Sequence, residues 1–73
     1  MTVVRSNARM FAVRLRPNTA FQFSEWVRGG NHWFRVETTV RPFMSVAFHD
    51  ATGTVTLDDF KQAVAEAIAE LNT

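Results

Sequence analysis

Trp26 and Trp33 flank Gly29-Gly30 at a spacing of seven residues, with Arg28 and Arg35 interleaved. Trp and Arg are the types most enriched where one protein grips another, because each joins a large rigid contact surface to a polar handle. Arg14, His49 and Met10 join this set if the chain forms a sheet that gathers them on one face. Three chemistries suit such a face. It can dock a protein partner. It can stack the bases of single-stranded nucleic acid on its rings while guanidinium groups meet the phosphates. Or a cross-strand Trp pair, with Arg lying over the rings, merely stabilises an exposed hairpin.

Catalytic and metal chemistry find few candidates. His32 and His49 are the only histidines, and neither stands at a metal-ligand spacing from another histidine or a carboxylate. There is no cysteine, no serine in a glycine-rich elbow, and no phosphate-binding glycine loop. The expectation is a protein that is not an enzyme and takes no cofactor or metal. The stretch from Asp50 to Phe60 superficially resembles the second half of an EF-hand calcium loop, with Gly53 as its turn glycine and Val55 as its apolar position. The first acidic ligand would be Phe48, Thr52 stands where Asp or Asn is usual, and no helix is expected before the loop. A tight turn followed by a helix cap explains the stretch better.

The elements that must position these residues come next. A length of 73 residues allows one small core, and without cysteine that core must be held by apolar burial alone. Residues 1–73 therefore read as a single α+β domain, with 1–8 a flexible or edge segment. No apolar run is long enough to span a bilayer, so a soluble, cytoplasmic chain with no membrane partner is expected. Net charge is +1, but residues 1–49 carry +5 and residues 50–73 carry −4. Such asymmetry suits either an anionic partner or mutual attraction of the two halves.

Leu57, Phe60, Val64, Ala67, Ile68 and Leu71 recur at three- and four-residue spacing, which predicts a C-terminal amphipathic helix. Thr56 is its expected N-cap, accepting from the amide of Asp59, and Asp58 and Asp59 suit the positive end of the helix dipole. Lys61, Gln62, Glu66 and Glu70 form the solvent face, and the alanines at 63, 65, 67 and 69 leave a smooth flank for close approach.

Upstream the apolar period is two. Arg9–Arg16 alternates through Phe11, Val13 and Leu15, and Pro17-Asn18 breaks it. His32–Arg41 places Phe34, Val36, Thr38 and Val40 on one face; Met44, Val46 and Phe48 alternate after a turn at 41–43. Ala20–Arg28 reads best as a strand, with Phe21, Phe23 and Val27 inward. Its helical alternative would use Thr19 and Gln22 as a capping box and Gly29 as a stop. A two-residue turn at Gly29-Gly30 would set Trp26 opposite Trp33, Phe23 opposite Val36 and Ser24 opposite Arg35. A three-residue loop at 41–43 would set Val36 opposite Phe48 and Thr38 opposite Val46. Glu25 falls on the inner face, within reach of Arg9.

The expected fold is thus an antiparallel four-stranded meander, ββββα, with the helix on one face; βαββα is the alternative. The expected function is a non-enzymatic protein-binding module, such as a small regulatory or inhibitory protein, working through Trp26, Trp33, Arg14, Arg28, Arg35 and His49. A nucleic-acid-binding regulator using the basic half is the alternative. With two open sheet edges and a small core, a homodimer is also expected, through the open sheet face or through strand edges.

Overall fold

The computed structural model of the chain describes residues 2–16 and 19–72. Its order is α1 (Thr2–Ala12), β1 (Phe21–Arg28), β2 (Asn31–Thr38), β3 (Ser45–Asp50) and α2 (Leu57–Leu71). The strands form one antiparallel sheet in the order β1-β2-β3. The α+β class holds, but the fold is αβββα, and both expected topologies are corrected. Arg9–Arg16 is not a strand: its first four residues end α1. The helical alternative for Ala20–Arg28 falls as well, since β1 occupies that segment. The break expected at Pro17-Asn18 lies outside the described residues.

The reason for the helix is the stripe of buried Val4, Ala8, Phe11 and Ala12, continued by partly buried Leu15. Steps of three and four residues bring these onto one face. The alternation through Phe11, Val13 and Leu15 is a coincidence of the last turn, and Val13 is 57% exposed. Both helices pack on the inner sheet face and on each other. Ala8 and Ala12 of α1 and Ala63 and Ala67 of α2 are all buried; Ala65 and Ala69, from the expected smooth flank, are exposed.

The centre of the core is Phe60, fully buried, whose ring lies 5.5, 5.7 and 5.1 Å from those of Phe23, Phe34 and Phe48. One α2 side chain thereby touches all three strands. Thr56 caps α2 as expected: its hydroxyl accepts from the Asp59 amide at 3.1 Å, and the Asp59 carboxylate accepts from the Thr56 amide at 3.0 Å. Both bonds satisfy amides that a helix start would otherwise leave open.

The β1–β2 register is the expected one, with Trp26↔Trp33, Phe23↔Val36 and Ser24↔Arg35. Gly29 and Gly30 have φ of 57° and 78°, the left-handed pair that a type I′ turn requires. The β2–β3 register differs from expectation by two residues: Val36 faces Val46 and Phe34 faces Phe48. The cause is Thr38. Its amide donates to the Met44 carbonyl at 2.8 Å and its hydroxyl accepts from the Met44 amide at 2.8 Å. This double link ends β2 at Thr38 and lengthens the loop, leaving Val40 half exposed rather than inward. A shift of two preserves the faces, so the core composition survives the error.

Candidate functional site

Strand alternation puts Gln22, Ser24, Trp26 and Arg28 of β1, Asn31, Trp33, Arg35 and Glu37 of β2, and Ser45, Ala47 and His49 of β3 on the face away from the helices. Register then aligns three rings across it. Trp26 faces Trp33 and Trp33 faces His49. The indoles lie 6.2 Å apart between centroids with planes 9° apart; Trp33 and His49 lie 5.0 Å apart at 32°. The Arg35 guanidinium carbon lies 5.0 Å from the Trp26 ring centroid, at cation–π distance. Trp26, Arg28, Asn31, Trp33, Arg35 and Ala47 line an open depression of about 590 Å³. At the other end of the face Gln22 donates to the Glu37 carboxylate at 3.3 Å.

Five of the six residues expected to bind a partner therefore share one face: Trp26, Trp33, Arg28, Arg35 and His49. Arg14 does not join them, because it stands in the turn after α1, where its amide bonds to the Phe11 carbonyl at 3.1 Å. Met10, on α1, is exposed elsewhere. The basic excess of the N-terminal half is dispersed in the same way. Arg5 and Arg9 line a groove with Glu66 and Glu70 between the helices, and Arg41 lies in the β2–β3 loop.

A second cluster sits at the rim of the inner face. His32 bridges all three strands, with Nε2 2.9 Å from Glu25 Oε2 on β1 and Nδ1 3.4 Å from Asp50 Oδ2 on β3. Glu25 thus meets His32 rather than Arg9. Asp50 has a side chain only 1% exposed. It accepts from the Gly53 amide and Thr52 hydroxyl at 3.0 Å and from the Val55 amide at 3.1 Å. Burial alone would raise its carboxyl pKa, but the Val55 amide, Thr52, His32 and the Gly53 amide together hold it below the usual carboxylate value.

An Asp–His pair can orient an imidazole as a general base. Here the Asp50 oxygens are engaged in fixing the 51–55 turn, and Nε2 is taken by Glu25. The cluster clasps the strand ends to the turn that leads into α2. The expected β2–β3 register would have set His32 opposite Thr52, so sequence reasoning missed the contact. Among the described residues no group of three or more His, Asp or Glu is arranged to hold a metal ion, and no helix is long and apolar enough to cross a membrane.

Comparison with protein-family models, with curated proteins and with solved structures finds no match.

Proposed function

We propose that the chain is a non-enzymatic protein-binding module whose open sheet face docks on a larger partner, in the manner of a small regulatory or inhibitory protein. The supporting observation is the row Trp26–Trp33–His49, which crosses all three strands on the face that neither helix covers. Register holds the rings in place before any partner arrives. Little side-chain entropy is lost when they are buried, and rigid, preordered aromatic anchors are what a protein interface rewards. Arg28 and Arg35 flank the row as polar handles able to meet carboxylates or carbonyls at the rim of the contact.

A protein partner is favoured over single-stranded nucleic acid by the placement of charge. A strand of nucleic acid needs a basic track beside its stacking rings, and five of the seven arginines stand outside the ring face. The experiment is affinity capture from the native host with the immobilised chain, in parallel with the Trp26→Thr/Trp33→Thr variant. A captured protein that disappears with the folded variant supports the proposal. Capture unaffected by the loss of both rings, or steeply salt-dependent retention of mixed oligonucleotides in its place, refutes it.

A further inference from the structure

The β1 edge is open, and its chemistry selects one occupant. The Thr39 amide donates to the Ala20 carbonyl at 3.0 Å, one step beyond the Phe21↔Thr38 pair. Backbone groups alternate sides along an antiparallel strand. Even-numbered β1 residues therefore bond to β2, and Phe21, Phe23, Glu25 and Val27 direct N–H and C=O outward. Among the described residues, no backbone hydrogen bond from another element reaches these four. The other edge, β3, is shorter, with six residues against eight. Beside β1 stand an exposed valine, Val27 at 71%, and the chain's single lysine, Lys61, whose Nζ lies 5.9 Å from the Phe23 ring centroid.

We infer that β1 pairs antiparallel with β1 of a second copy about a two-fold axis at Ser24, joining two three-stranded sheets into one of six strands. Outward-facing odd residues must meet one another, which any axis on a residue allows; those nearest the middle of the outward-facing run are Phe23, Ser24 and Glu25. An axis at Glu25 sets two carboxylates face to face. An axis at Phe23 places Val27 opposite Thr19, beyond the strand. The Ser24 axis alone engages all four outward residues of each strand. It lays Val27 against Phe21 of the second copy and Glu25 opposite that copy's Phe23, the ring that Lys61 approaches.

Two Lys61–Glu25 pairs follow by symmetry. His32 holds Glu25 through Oε2, which leaves Oε1 for the lysine. An inward-pointing charge on an edge strand usually discourages pairing; here it discriminates among registers. The interface uses the β1 edge and leaves the row Trp26–Trp33–His49 open on the outer face of the joined sheet.

Sedimentation equilibrium of the full chain from micromolar to several hundred micromolar tests this. A dimer of twice 8.3 kDa is expected. Val27→Pro removes only an outward N–H and should leave a folded monomer, with its far-UV circular dichroism unchanged. Lys61→Glu should weaken dimerisation about tenfold through two broken, now repulsive pairs, and adding Glu25→Lys should restore it. If Val27→Pro does not fold, the charge swap decides. A wild-type chain that stays at 8.3 kDa throughout overturns the inference, and so does a dimer indifferent to Lys61→Glu.

Discussion

Replacing Asp50 with alanine should cost far more than the loss of a surface carboxylate. Its oxygens accept from the Gly53 and Val55 amides and the Thr52 hydroxyl, and Oδ2 faces His32. Bonds to a charged acceptor are each worth about 1.5–3 kcal/mol, but Thr52 and Gly53 are both exposed and water can take the place of Asp50 at each. The half-buried Val55 amide and His32 then set the loss for Asp50→Ala at about 3 kcal/mol, two bonds at the low end of that range. For a domain of this size that corresponds to a fall in Tm on the order of 15 °C. Asp50→Asn keeps the shape and one acceptor, and should lose about half as much.

The pH dependence follows from the lowered pKa of Asp50. Its contribution is complete above the unfolded carboxylate value of about 3.9 and is lost as pH falls through the lower folded value. Urea unfolding at pH 7 and in steps below pH 5 measures both effects. The wild type should lose stability more steeply below about pH 4 than Asp50→Asn, which lacks that ionisation. Asp50→Ala within about 0.5 kcal/mol of wild type, or identical acid limbs, would refute the clasp, since surface changes have effects of that size.

The hairpin turn should respond to backbone conformation alone, because a Cβ built at Gly29 or Gly30 meets no atom within 4 Å. Gly30→Val should cost about 1–2 kcal/mol in urea unfolding while Gly29→Asn costs little, since Asn tolerates the left-handed region. Thr56→Ala removes one half of the capping box and should cost about 1 kcal/mol by the same assay.

The parts of the fold legible in the sequence were those fixed by local rules. Thr56 and the stripe from Leu57 to Ile68 mark α2 by cap and period, and Gly29-Gly30 sets a register that brings like faces together. The first helix was hidden because, among the described residues, two of its four buried positions are alanines, whose apolar signal is weak, while Phe11, Val13 and Leu15 happen to alternate. Thr38 decided the β2–β3 register through a side-chain bond to Met44 that no periodicity records. The contact of His32 with Asp50 depends on that register and was hidden with it. The ring face was legible because Trp26 and Trp33 need only the hairpin, and a register slip of two keeps His49 on their face, although the expected register set it opposite Arg35 rather than Trp33. Arg14 was misplaced together with the strand that did not form.

The most direct test of the docking face is titration calorimetry of the captured partner into wild type and into Trp26→Thr/Trp33→Thr, with urea unfolding of both. The rings lie on the outer face and only half-buried, so the variant should stay folded, losing roughly 0.5–1.5 kcal/mol of stability. Its binding should weaken by more than about 2 kcal/mol if the rings anchor the partner. Partner affinity unchanged in the folded variant would contradict the account.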